Sequence, residues 1–120
     1  MSVEIRTTGS TVTAYLSGEL DHHTAREMRE AIDSSVELNM PSTLVLNFKN
    51  ISFMDSSGIG MIIGRYKTVS ALGGRLSIAS PSKEADRILS ISGIYRIIHS
   101  YKTVEDAVLG INQEVHKNER

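Results

Sequence analysis

Apolar and polar positions alternate from the start of the chain. Val3, Ile5 and Thr7 stand against Glu4, Arg6 and Thr8, which is the period of a half-buried strand. Gly9-Ser10 is a short turn, and Thr11 to Leu16, with Val12, Ala14 and Leu16 on one face, is predicted to be the hairpin partner. Ser17-Gly18-Glu19-Leu20-Asp21 reads as a second strand end that runs into a helix. That helix begins either at a capping box of Thr24 with Glu27 or one turn earlier at Asp21. Its apolar stripe is Ala25, Met28, Ile32 and Val36. Asn39-Met40-Pro41-Ser42 closes it, because the residue before a proline is pushed out of the α region.

The period then changes. Thr43-Leu44-Val45-Leu46-Asn47-Phe48 is short, apolar and β-branched, as a strand buried on both faces should be. In Phe53-Met54-Asp55-Ser56-Ser57-Gly58-Ile59-Gly60 the strand-like run breaks and a helical pattern begins. Ile59, Ile62, Ile63, Tyr66 and Val69 form its apolar face, with Arg65, Lys67 and Thr68 between them. Gly73-Gly74 supplies a left-handed C-cap, and Arg75 to Ala79 alternates as a fourth strand. Ser80-Pro81 predicts an N-cap with proline at the first helical position, and Ile88, Leu89 and Ile91 an inner face ended by Gly93. Ile97 to Tyr101 is expected as an edge strand. Thr103 with Asp106 caps a last helix carrying Val104, Ala107, Val108, Ile111 and Val115 on one side, and Lys117 to Arg120 is a charged end expected to fray.

The order β-β-α-β-α-β-α-β-α defines an α/β domain over residues 1–116. It has a mostly parallel sheet of about five strands after an opening hairpin, and about four helices covering mainly one face.

Composition narrows the chemistry. A chain of 120 residues can bury one modest core, aliphatic rather than aromatic at 40% hydrophobic and 5% aromatic residues. The net charge of −1, with Arg26, Arg29 and Lys49 read as separate surface cations, argues against nucleic acid or an anionic membrane as partner. With no cysteine there are no disulfides or thiolate metal sites, which fits a reducing cytoplasm. No apolar run approaches the ~20 residues of a membrane span, and the N-terminus lacks a signal-peptide pattern.

The candidate site is Asp55-Ser56-Ser57-Gly58. Asp, Ser and Gly are common wherever a strand turns into a helix, and one cap needs one oxygen; three side-chain acceptors crowd this start. Free N–H groups and the positive end of the helix dipole would suit an anion or a phosphorylated hydroxyl there. Gly60 and Gly64, four apart on one helical face, allow close approach by a backbone or a partner, and at ~1 kcal/mol each they ask for a packing reason. Asp21 also ends a strand before a helix. It is either a cap alone or, since parallel strands end along one rim, a neighbour of Ser56. His22-His23 is adjacent and divergent, unsuited to chelating one ion, so no metal or cofactor is expected. A serine nucleophile at Ser56 or Ser57 has no motif context, and the glycines fit neither nucleotide-binding pattern.

Gly18-Glu19-Leu20-Asp21 together with Phe53-Met54-Asp55-Ser56-Ser57-Gly58-Ile59-Gly60 resembles the STAS domain of bacterial anti-sigma factor antagonists. Leu20-Asp21-His22-His23-Thr24 and Gly64-Arg65-Tyr66-Lys67 are closest to its sporulation branch. The resemblance spans nearly the whole chain. It implies a binding protein rather than an enzyme, whose partner is an anti-sigma factor that is also an ATP- or ADP-bound serine kinase. The implied phosphorylation site is the serine after the motif aspartate, here Ser56, and a serine phosphatase reverses the modification. Asp21 and Asp55 match the acids beside that serine, with Ser57, Gly58, Ile59 and the exposed side of the helix as partner surface. The alternatives are a stress-response antagonist, a transporter's regulatory STAS domain (disfavoured by the free N-terminus and the lack of membrane segments) and, remotely, a small serine hydrolase.

Overall fold

The computed structural model describes residues 2–110. Its elements are β1 (Val3–Thr8), β2 (Thr11–Leu20), α1 (His22–Asn39), β3 (Thr43–Met54), α2 (Ser56–Ala71), β4 (Arg75–Ala79), α3 (Lys83–Ser92), a 3₁₀ turn (Ile94–Arg96), β5 (His99–Tyr101) and α4 (Val104–Leu109). The five strands stand in the sheet in chain order. β1 pairs antiparallel with β2, and β2 to β5 are parallel. Parallel crossovers are right-handed, so three of them stepping in one direction put α1, α2 and α3 on one face.

The core follows from that. Leu44, Leu46 and Phe48 of β3 and Ile78 of β4 meet Met28 and Ile32 of α1, Ile62 of α2 and Leu89 of α3, all fully buried. Each such side chain contributes about 1.5–3 kcal/mol relative to exposure. The opposite face carries a smaller cluster of Val45, Ala79 and Tyr101 under Ala107 of α4. The expected cover mainly on one face holds for the described residues, with α4 alone on the other. The expectations for Ile111, Val115 and residues 117–120 lie outside them.

Four local expectations change. β3 runs six residues past Phe48 to Met54, because β2 also runs on to Leu20 and keeps it paired. Register shifts between Tyr15 and Ser17 and between Gly18 and Glu19 break the twofold alternation there, and Gly18 takes φ +86°, a value that suits glycine. The third helix begins at Ser82, not Ser80. Ser80 instead ties the ends of β4 and β5 together, donating its N–H to the Tyr101 carbonyl (2.9 Å) and its hydroxyl to that of Lys102 (2.8 Å). The Ser82 hydroxyl oxygen accepts from the Ala85 N–H at 3.1 Å. On that helix Ile91 points outward, 78% exposed, and Ala85 with Leu89 faces the core. Met40 leaves the α region as its proline requires, but into the left-handed region at φ 46°, where its N–H reaches the Val36 carbonyl at 2.8 Å.

The largest change concerns α2. Its buried face is Gly58, Met61, Ile62, Arg65 and Val69, while Ile59, Ile63 and Tyr66 are only partly buried. Arg65, expected between the apolar positions, lies inside because α1 packs alongside and offers Asp33. Nε and Oδ1 meet at 2.8 Å, off the N–H line, so this is a contact of charges rather than an aligned hydrogen bond. Burial lowers the Arg65 pKa and Asp33 opposes that shift.

Candidate functional site

Parallel pairing brings the two predicted corners together. Leu20 and Met54 are register partners at the ends of β2 and β3, and each is followed by an aspartate that caps the next helix. The Asp55 N–H donates to the Leu20 carbonyl at 3.3 Å, joining the corners directly. Asp21 is therefore both things the sequence left open, a cap and a rim neighbour of the serine corner.

At the first corner the side chains close on themselves. Asp21 Oδ1 accepts from the His23 and Thr24 N–H groups (3.0 and 3.1 Å), and the Asp21 N–H donates to Thr24 Oγ1 (2.9 Å). The Thr24 hydroxyl donates to the Glu19 carbonyl at 2.6 Å. Of the two starts the sequence allowed, Asp21 is the cap, and Thr24 is the far side of its box. The Thr24 N–H above all, then the Thr24 hydroxyl and the N–H and charge of His23, holds the Asp21 carboxyl below its usual range against a smaller opposing effect of burial.

The second corner stays open. Asp55 Oδ1 accepts from the Ser57 N–H at 2.8 Å, and the Asp55 carbonyl from the Gly58 N–H at 3.0 Å. Ser56, first residue of α2, is exposed, and its hydroxyl makes no hydrogen bond among the described residues. Ser57 and Ile59 are half-buried. Gly58 differs from its expected place on a partner surface, because it is buried. A Cβ there would come within 2.6 Å of Met54 Cε and 3.0 Å of Leu20 Cδ2, so the glycine lets the helix start sit directly on the strand ends. Phe53, inside the motif run but not among the expected partner residues, is 47% exposed beside Glu19.

Sequence reasoning missed a groove beside this rim. Between α1 and α2 lies an open cleft of about 620 Å³, lined among others by His22, Arg26, Arg29, Ser57, Gly60 and Gly64. Arg26 and Arg29, read as separate cations, share it with Arg65. Their spacing of three residues on one helix was the available signal, but the third cation comes from a different helix. A Cβ on Gly60 or Gly64 would meet nothing within 4 Å, so neither glycine has a packing reason inside the domain. No group of three or more His, Cys, Asp or Glu among the described residues could hold a metal, and no described helix is long and apolar enough to cross a membrane.

The fold has known counterparts. The chain belongs to the STAS domain family, which it matches over residues 2–107. It is 39% identical over 93 residues, 78% of this chain and 80% of the relative, to the anti-sigma F factor antagonist of Paenibacillus polymyxa. Among solved structures it resembles the anti-sigma factor antagonist SpoIIAA in its unphosphorylated form at 33% identity and a TM-score of 0.76, covering 92% of this chain and 98% of the other. It also resembles the phosphorylated form of SpoIIAA, described as a Bacillus cell fate determinant, at 32% identity and a TM-score of 0.70, covering 92% and 99%.

Proposed function

We propose that this protein is an anti-sigma factor antagonist of the sporulation type, a cytoplasmic binding module rather than an enzyme. In its unphosphorylated form it binds an anti-sigma factor serine kinase and thereby releases the sigma factor. The observation that carries the reading is the exposed Ser56 hydroxyl, without a hydrogen bond among the described residues, at the start of α2 on a rim shared with Asp21 and Asp55. The relatives' names and the existence of a phosphorylated form of SpoIIAA support it.

In the switch, Ser56 Oγ attacks the γ-phosphorus of the partner's ATP, its proton passes to a base of the kinase, and ADP leaves. A serine phosphatase restores the hydroxyl with water, releasing phosphate. The phosphoserine carries roughly −1.5 to −2 charge. The N-terminus of α2 stabilises that charge by about 0.3–1 kcal/mol at an exposed position, so the fold survives. Against the partner, the dianion joins Asp21 and Asp55 in a surface that fitted a small hydroxyl, and like-charge contact with desolvation costs several kcal/mol. Asp21, Asp55, Ser57 and Ile59 form the contact surface around Ser56, with Gly58 seating the helix beneath them.

The test is phosphosite mapping by mass spectrometry after incubation with the anti-sigma factor kinase of the same organism and Mg-ATP. Phosphate on Ser56 alone is expected. Phosphate on Ser57 would shift the assignment by one residue, and none on either would reject the reading.

A further inference from the structure

We propose that the groove between α1 and α2 is a second docking surface for the partner that reaches Ser56, and that its occupant is an acidic segment of that partner. The proposal rests on the preceding reading for the identity of the partner and on the groove itself for the chemistry.

Three arginines line this cleft; the nearby carboxylates Glu30 and Asp33 stand on Arg26 and Arg65, and Arg29 is left uncompensated among the described residues. Arg26 and Arg29 come from α1 and Arg65 from α2. The chain as a whole carries −1, so the concentration is local. Arg26 meets only Glu30, at 3.6 Å with both side chains largely exposed, a pair of little strength. Arg29 is exposed and makes no ion pair among the described residues. Arg65, with its side chain 9% exposed, holds Asp33 of α1 at 2.8 Å through Nε and donates from Nη1 to the Met61 carbonyl at 3.2 Å, so its charge is largely balanced and it contributes to the wall. Nη2 makes no hydrogen bond among the described residues, so a buried guanidinium keeps donors in the groove wall.

The floor is open where a partner would need it. Gly60 and Gly64 weaken the helix they sit in, and no neighbour fills the space their missing side chains leave. Ser57 lines the groove and adjoins Ser56, so the surface is continuous with the rim. The rim itself, with Glu19, Asp21 and Asp55, has the opposite sign. An acidic segment is therefore matched to the groove and not to the rim, and complementarity of that kind governs encounter and register.

Two variants test this by calorimetric titration against the ADP-bound kinase of the same organism, at low and moderate salt. Arg26→Glu with Arg29→Glu reverses exposed charges and should weaken binding about 30-fold at low salt and less as salt rises. Gly64→Leu fills the groove without changing charge and should weaken binding about tenfold at both salts. Thermal unfolding should show both variants folded. If both bind within twofold of wild type while Ser56→Asp still weakens the complex, the docking inference falls and the Ser56 reading stands. If wild type neither binds the kinase nor is phosphorylated, both fall. Inorganic phosphate that shifts the Arg29 and Gly64 amide resonances, with kinase affinity indifferent to the charge reversal, would give the groove to a small anion and overturn the proposal.

Discussion

The two strand-to-helix corners share a backbone and differ in what their hydroxyls do. Asp21 sits at φ −121°, ψ −168° and Asp55 at φ −119°, ψ −169°, and each accepts hydrogen bonds from the start of the helix it caps. In α1 the hydroxyl stands at the third helical position, Thr24, and folds back onto the cap. In α2 the third position is Gly58, whose Cβ space is already taken by Met54 and Leu20, and a hydroxyl stands at the first position. A first-position side chain does not reach back to the cap. The same geometry thus gives a structural lock in one corner and, in the other, an exposed oxygen with no hydrogen bond among the described residues.

The strongest break in that comparison is charge at the open corner. Ser56→Asp should weaken the kinase complex by about 2–4 kcal/mol at low salt, while Ser56→Ala stays within tenfold of wild type, ~1.4 kcal/mol. Calorimetric titration reads both; equal affinities for Ala and Asp would leave the bulk of the phosphate, not its charge, as the cause of release. Next is an attempt to close the open corner. Gly58→Thr should fail to build a second capping box and instead destabilise the domain by roughly 1–3 kcal/mol in urea unfolding, because the added atoms meet Met54 and Leu20.

Opening the closed corner should cost less. Thr24→Ala removes the box but leaves Asp21 as cap, for a loss of about 1 kcal/mol, with Ser56 phosphorylation unchanged. The smallest effect concerns acid. The Asp21 carboxyl is held below its unfolded value, so its contribution is present above that value and disappears as pH falls through the folded one. Asp21→Asn, itself a good cap, should flatten the acid limb of the stability curve below about pH 4 and change stability little at neutral pH. A variant as acid-sensitive as wild type would show that the Thr24 and His23 N–H groups do not favour the charged form.

Much of this was readable before folding, and the failures have physical causes. The element order followed from the switch between periods of two and 3.6 residues, and parallel strands ending on one rim offered Asp21 as a neighbour of the serine corner, with a plain cap as the alternative. Arg65 was misread because six apolar side chains spread around α2, so its inward direction could not be told from the pattern alone. Its burial depends on Asp33, which lies on another helix. The groove was invisible for the same reason, being a property of two helices side by side. Ser80 and Ser82 are equally good caps by residue type. What separates them is a tie from Ser80 to Tyr101 and Lys102, more than twenty residues downstream in the chain. Residues 49–54 hid their strand because a bulged ladder has no clean alternation.

The chain-order arrangement of the sheet has a consequence for how the protein assembles itself. Every strand pairs with its neighbour in sequence, so each pairing closes a loop no longer than one helix and its connections. Such local connectivity lowers contact order and speeds folding. The β2–β3 pair, longest in the sheet and the one that sets Asp21 beside Asp55, needs nothing beyond β3 to form. The ladder that sets the two corners side by side can then form without the later strands, and its buried central amides should be among the slowest to exchange with solvent.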